Sequence, residues 1–421
     1  MKTYCFIASK NDELDRLCRI SNNLYNQTLY EVKNEYNENK VYLNYYDTQD
    51  KMKTTKNLQG EINYRLLPAQ CSQHILKILD NNYKSFFSSI RDYNKHPEKY
   101  KSAPHPPEFR KKGGKFLLIF TNQQAKIKDG FIQLKKGLYI PIAQFEKYKD
   151  IIKNFQQIKI IPLPDNEYKI CIIYKNIIKN IVSENNNVAS MDLGVDNVVT
   201  MISNVDKPVI INGKGLKSKN KYYSNKIANY KSELSIKNKK NIINKKGEIL
   251  TVYPHTSKMI KLLYNNKNNY IKDSMHKISR YVVNYLAYNQ ISKLYIGYNK
   301  GWKQNVNLGH ETNETFYSFP YAELIHMIKY KAEDLGIEVI THEESYTSKC
   351  DALALENIGK HDIYLGKRKY RGLFQSSTGK LINADINGAL NILRKNISDD
   401  EIVRNLIGNG CLYQPTKFNV I

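Results

Sequence analysis

Residues 188–203 read VASMDLGVDNVVTMIS, and the fold class turns on this stretch. Val188–Leu193 is an apolar run interrupted near its end by a carboxylate, Asp192, the pattern of a mostly buried strand. Gly194-Val195-Asp196-Asn197 supplies a tight turn, and the β-branched run Val198–Ser203 is a second strand. A third strand, around Val209–Ile211, ends at Gly213.

Working outward, residues 256–290 form a long helix with Ile260, Leu263, Ile278, Val282 and Leu286 on its apolar side. Lys293–Tyr298 is a strand. Tyr321–Leu335 is an amphipathic helix (Leu324, Ile328, Leu335) stopped by Gly336, Ile337–His342 a further strand, and Asp385–Arg394 opens a last helix. Three strands, a helix, a strand, a helix, a strand and a final helix is the order of an RNase H-like α/β domain. The tail after Asn396 is weakly patterned. Toward the N-terminus, 181–187 (IVSENNN) is a polar linker. Before it, Phe116–Thr121, Phe131–Leu134, Leu138–Ile140, Gln157–Ile161 and Tyr168–Tyr174 read as strands of a small barrel or sheet, with a turn at Pro164-Asp165-Asn166. The prolines 97, 104, 106 and 107 mark a boundary. Residues 11–100 read as helices, with Leu14, Leu17, Ile20 and Leu24 at helical spacing and Ile75, Ile78 and Leu79 likewise. The first ten residues alternate as a strand.

The chain's 65 Lys and Arg against 40 Asp and Glu give a formal charge of +25, which favours a polyanionic partner through counterion release. An AT-rich genome also enriches Lys, but such a bias does not remove acids. Hydrophobic residues at 41% exclude a disordered basic tail. Between Lys214 and Lys246 stand eleven Lys and one acid, Glu233. That segment is either a solvated face or a basic arm, including Lys214, Lys217 and Lys219, against a nucleic-acid backbone. The six cysteines form no CxxC pair, which excludes a disulfide framework and suits a reducing cytoplasm. No signal peptide and no membrane span are expected.

Asp192 is costly where it stands, because an unpaired buried charge is penalised and a bound divalent cation relieves the cost. A turn-capping Asp before glycine is the plainer reading. In NADINGALNILRK (383–395), Asp385 lies at the start of an amphipathic helix whose Ala389, Ile392 and Leu393 face the core. Asn383, Asp385 and Asn387 gather at one helix N-terminus, more polar groups than a single N-cap needs. Two carboxylates from distant segments, with a third, are able to hold two Mg²⁺ ions. One would activate water and the other stabilise the leaving oxygen of a phosphodiester.

SMDLGVDNVVT (190–200), YIGYNKGWKQ (295–304), EESYTSK (343–349) and RGLFQSSTGKLINADINGALNILRK (371–395) resemble the RuvC-type half of the TnpB family. LPAQCSQHILKILDNNYKSFF (67–87) and PPEFRKKGG (106–114) resemble its N-terminal segments more loosely. The resemblance implies an RNA-guided DNA endonuclease encoded by a transposon, related to type V CRISPR effectors and Fanzor proteins, with a guide RNA and target double-stranded DNA as partners. The fold class it implies is α+β multidomain. Residues 1–10 and 101–182 would be a wedge-like β-barrel, 11–100 a helical recognition insert, and 188–348 with 385–396 a RuvC-like nuclease domain. Residues 349–384 would be a degenerate zinc-finger-like insert and 397–421 a C-terminal tail.

Two departures from the family bear on the site. The family's usual middle Glu falls on Gly297, which ligates nothing. Some relatives instead resemble this chain in carrying a Glu just before Tyr-Thr-Ser, which points to Glu344, with Glu343 the alternative. Asp192, Glu344 and Asp385 are then the Mg²⁺ ligands, with Mn²⁺ as a substitute. The family's two Cys pairs are reduced to Cys350, near Asp351, His361 and Asp362, so no zinc is expected. Lys367, Arg368, Lys369 and Arg371 of that insert are expected to contact nucleic acid. Arg280, one turn from His276, is either a further phosphate contact or part of a solvated polar face, and Trp302 anchors a loop in preference to stacking on a base. The rival readings are a nuclease-dead, RNA-guided DNA-binding repressor and an unguided RNase H-like resolvase or transposase.

Overall fold

The computed structural model describes residues 1–135, 137–163, 167–175, 181–237, 240–243, 249–252, 256–299, 319–397 and 400–419. Trp302 and the turn at 164–166 lie outside them. The chain divides into two compact units, Met1–Asn176 and Ile177–Ile421.

The first unit begins with β1 (Lys2–Ala8), whose Tyr4, Phe6 and Ala8 turn to the core while Cys5 and Ile7 stay outside. Helix α1 (Asp12–Asn39) starts where the Asn11 side chain accepts from the Leu14 N–H, with Asp12, Glu13 and Asp15 in the first turn, at the positive end of the helix dipole. Short helices α2 (Tyr45–Met52) and α3 (Asn63–Leu66) lead to α4 (Ala69–Lys95), which begins directly after Pro68. Leu14, Leu17 and Leu24 of α1 share one buried cluster with Ile75 and Leu79 of α4. The expected helical periodicity therefore lands on the core.

Beyond the prolines come β2 (Leu118–Thr121), β3 (Lys126–Lys128), β4 (Phe131–Lys135), β5 (Leu138–Pro141), α5 (Phe145–Ile152), β6 (Phe155–Pro162) and β7 (Tyr168–Tyr174). They form an antiparallel four-stranded sheet in the order β1-β7-β6-β2 and a three-stranded sheet β3-β4-β5. Among the described residues no hydrogen-bonded ladder joins the two. Strand β3 and helix α5 lack the apolar alternation that marks their neighbours, and the sequence reading misses both.

The second unit is built on a six-stranded sheet. Strands β8 (Val188–Asp192), β9 (Asn197–Ser203) and β10 (Val209–Asn212) run antiparallel in sequence. The basic segment forms helix α6 (Lys214–Lys237), which buries only Leu216, Asn220 and Ile227, followed by a small hairpin, β11 (Lys240–Ile243) and β12 (Ile249–Val252). After α7 (Lys258–Tyr288), β13 (Lys293–Gly297) pairs parallel with β8. Helix α8 (Tyr321–Glu333) then leads to β14 (Glu338–His342), parallel to β13. A three-stranded insert, β15 (Lys367–Tyr370), β16 (Leu373–Gln375) and β17 (Leu381–Asn383), precedes α9 (Ala384–Asn396).

The weakly patterned end is ordered: α10 (Asp400–Gly408) is followed by β18 (Thr416–Asn419), which joins the sheet parallel to β10. The full order is β14-β13-β8-β9-β10-β18. Ala189, Met191, Leu294 and Ile296 pack against α7 and α8 on one face, and Val188, Ile202 and Ile210 pack against α9 on the other. Period-two alternation along β8 therefore sends Val188, Ser190 and Asp192 toward α9, and the Ser190 hydroxyl donates to the Ala389 carbonyl at 2.6 Å. Among the described residues no helix is long and apolar enough to cross a membrane.

Candidate functional site

The parallel strands β8 and β13 end side by side, with Ile296 opposite Met191, so Gly297 is the neighbour of Asp192 on the face turned to α9. This edge gathers the three carboxylates expected from the sequence. Asp192 lies against the first turns of α9 so closely that a Cβ at Gly388 would stand 3.0 Å from its Oδ2. The helix backbone reaches the carboxylate only because residue 388 has no side chain.

Glu344 arrives from beyond β14. Its N–H donates to the Asn299 side chain at 3.0 Å, and its carbonyl accepts from the Thr347 hydroxyl at 2.8 Å. A Cβ built on Gly297 would lie 2.8 Å from Glu344 Oε2 and 2.5 Å from Ile392 Cδ1. The Glu344 carboxylate thus fills the space over β13 where a side chain at 297 would begin. Glu343 turns the other way, with Lys395 Nζ 3.0 Å from its Oε2. Geometry separates the two glutamates that sequence left open.

Asp385 sits in the first turn of α9, where Asn383 caps the helix by accepting from the N–H groups of Asp385 and Ile386. Its Oδ2 accepts from the Asn197 amide at 2.7 Å, and its Oδ1 faces Arg368 Nη2 at 3.7 Å. Asn197, the first residue of β9, is a site residue that sequence reading assigned only to a turn. Its one signal is an amide at the end of the turn that follows Asp192.

The electrostatics follow from this crowding. Burial, then the charges of Glu344 and Asp385, push the Asp192 pKa up to about 8, opposed by the Leu193 N–H and by Arg368. Burial, then Glu343, pushes Glu344 up to about 7, opposed by Lys395. These groups hold protons in a range where ordinary carboxylates are bare. The oxygen-only donor set and its uncompensated charge fit a hard divalent cation. Among the described residues no three acidic, His or Cys groups already close on one point as a finished metal site, and Asp385 is held at its present position by Asn197 on one oxygen and Arg368 near the other.

The expected nucleic-acid contacts divide. Lys214, Lys219, Arg280 and Lys367 are exposed. Lys217 and Arg371 both pair with Asp196, at 2.9 and 2.8 Å, and Arg368 leans on Asp385. In the 349–384 insert, buried Asp351 takes the central place. Its carboxylate accepts from the Ser376 hydroxyl, the Ser377 N–H and hydroxyl, and the N–H groups of Leu353 and Ala354. Glu356 accepts from the Asp351 and Leu365 N–H groups. A carboxylate hub organises this fold from within.

Comparison with known proteins gives likenesses of family and of fold. The OrfB_IS605 family, described as a probable transposase, matches residues 171–303, and the Cas12f1-like TNB domain matches residues 321–392. A TnpB-like protein, ORF457, of Acidianus two-tailed virus is 25% identical over 216 residues. That alignment covers 50% of this chain and 42% of the viral protein, so the chain spans less than half of its relative's length. In fold, the chain is similar to the protein in a cryo-EM structure of the Cas12f1-sgRNA-target DNA complex, with a TM-score of 0.52 and 15% identity over 90% of this chain and 82% of that one. The two family matches and the viral relative make this chain similar to TnpB-type proteins, and the matched segments contain Asp192, Glu344 and Asp385.

Proposed function

We propose that this chain is an RNA-guided DNA endonuclease in which Asp192, Glu344 and Asp385 hold divalent cations at the edge of an RNase H-like (RuvC-type) domain. The observation that carries the reading is Glu344 lying over Gly297, beside Asp192, so that the third carboxylate returns to the site from a different strand. The sheet order, with an antiparallel β8-β9-β10 followed by parallel β13 and β14, supports the RNase H-like assignment.

Mg²⁺ or Mn²⁺ held by these carboxylates would make a bound water more acidic and stabilise developing charge at a phosphodiester. The chain's own residues prepare that chemistry. Asp192 and Glu344 release their protons to accept the cations, Asn197 fixes which lone pairs of Asp385 face inward, and Arg368 is free to move from Asp385 to a DNA phosphate. Arg371 and Lys217, paired with Asp196, are further cations at the same edge.

In this reading the segments 1–10 and 101–182 form a wedge-like barrel and 11–100 the recognition insert, which bind guide RNA and the guide–target heteroduplex. Sequence choice is left to base pairing. Exposed Lys214 and Lys219 on α6, Arg280 on α7 and Lys367 on β15 contact phosphates.

The test is cleavage of a plasmid matching the RNA that co-purifies with the protein, in Mg²⁺, by wild type and by Asp192→Ala. Cleavage by wild type alone supports the proposal. RNA-dependent binding without cleavage favours a guided repressor, and cleavage that survives RNase treatment favours an unguided nuclease.

A further inference from the structure

Away from the carboxylates, two cysteines face each other across the first sheet. Cys5 of β1 is the register partner of Cys171 of β7, and their sulfurs stand 2.7 Å apart. Neither is in a disulfide; Cys5 is exposed and Cys171 buried. Directly opposed residues on antiparallel strands have Cα atoms about 4.5–5.5 Å apart, inside the range of about 4.4–6.8 Å that a disulfide spans. Closing the bond therefore requires side-chain rotation and no movement of the strands. Among the described residues, strand β1 is at an edge of its sheet, hydrogen-bonded to β7 alone, so it is open to being peeled away.

We propose that Cys5 and Cys171 form a reversible oxidation site, closing into a cross-strand disulfide that fastens the N-terminal edge strand to its unit. The co-reactant is a small-molecule disulfide. The exposed Cys5 thiolate attacks one of its sulfurs, forming a mixed disulfide and releasing one thiolate. The Cys171 thiolate then attacks Cys5 Sγ, forming the Cys5–Cys171 bond and releasing the second thiolate. The two protons of the pair pass to the two released thiolates, and the two electrons lost by the pair reduce the incoming disulfide.

The order of attack follows from the surroundings. Hydrogen bonding to the Cys5 thiol, then burial, raises the Cys171 pKa far above the usual thiol range, while Lys169 and Lys159 act in the opposite sense. Once Cys5 carries the mixed disulfide, its raising effect is removed, leaving burial opposed by the two lysines. The other cysteines are poorer competitors: burial pushes Cys18 and Cys71 up to about 12, Cys350 is buried, and half-buried Cys411, which has no cysteine partner among the described residues, is raised chiefly by burial. The inference is independent of the nuclease reading.

The full chain, incubated folded with oxidised glutathione and then alkylated under denaturing conditions, should lose two of its six thiols. Non-reduced peptide mapping should recover the Cys5 peptide joined to the Cys171 peptide. The thermal midpoint should rise by about 5 °C or more and return on reduction. Cys5→Ser, at an exposed position, should abolish the thiol loss and the shift, and Cys171→Ala should trap glutathione on Cys5. Six intact thiols, a bond joining either cysteine to a different partner, or a bond that leaves the midpoint unmoved would overturn the proposal.

Discussion

Replacing Asp192 by Asn should stabilise the metal-free protein, and should do so only in a defined pH window. The unfolded chain ionises this carboxyl near pH 3.8, whereas in the fold it holds its proton up to about pH 8. A group whose folded pKa is raised costs nothing below its unfolded pKa and costs progressively more as pH climbs toward the folded value. At pH 7 about three pH units of that window have been crossed, roughly 4 kcal/mol at 1.36 kcal/mol per unit. Asp192 keeps part of its surface open to water, and screening brings the expectation to about 2 kcal/mol. For a unit of this size that is about 4–8 °C in midpoint.

The assay is thermal unfolding in chelator from pH 4.5 to 8.5, wild type beside Asp192→Asn. The variant's advantage should be small at pH 4.5, grow through neutrality and level off above about pH 8. Adding Mg²⁺ at pH 8 should raise the wild type and leave the variant nearly unmoved. An Asn variant no more stable than wild type at pH 8, or equally favoured at pH 4.5, would refute the claim that crowded negative charge strains this site.

Other consequences can be checked in parallel. Gly297→Ala puts a methyl 2.8 Å from Glu344 Oε2 and 2.5 Å from Ile392 Cδ1, so cleavage should fall at least about tenfold with little change in RNA binding. Asn197→Ala frees Asp385 Oδ2 and should raise the Mn²⁺ concentration needed for half-maximal binding, read by Mn²⁺ electron paramagnetic resonance; Asn197→Gln should restore part of it. Asp351→Ala leaves the buried Ser376 hydroxyl and the Leu353 N–H without their acceptor and should cost about 3 kcal/mol, measured by denaturant unfolding, with the insert turning protease-sensitive.

The sequence made the central sheet legible because β8, β9 and β10 are nearly continuous apolar runs, and because α9 repeats Ala389, Ile392 and Leu393 at helical spacing. It singled out Asp192 as a charge interrupting an apolar strand, and Asp385 as one of several polar groups gathered at the N-terminus of an amphipathic helix. Glu344 needed family resemblance, since nothing local distinguishes it from Glu343; the outward pull of Lys395 on Glu343 exists only in three dimensions. Strand β18 was invisible because Thr416–Asn419 is exposed and short, and is defined by pairing with β10, two hundred residues earlier, and by Phe418 stacking on Tyr281 at 4.1 Å. The Asp351 hub escaped as well. Sequence shows missing cysteines, but not the serine and backbone donors that turn toward a carboxylate in the same insert.

The most direct test of the central claim is the single-turnover rate of Mg²⁺-dependent cleavage of a guide-matched plasmid by Glu344→Gln, with bound RNA equal to wild type. Gln keeps the shape of the side chain over Gly297 and removes the charge that would hold a cation. The account predicts a loss of at least about a hundredfold. Cleavage at the unmutated rate would contradict it, because Glu344 would then not be the third carboxylate of the site.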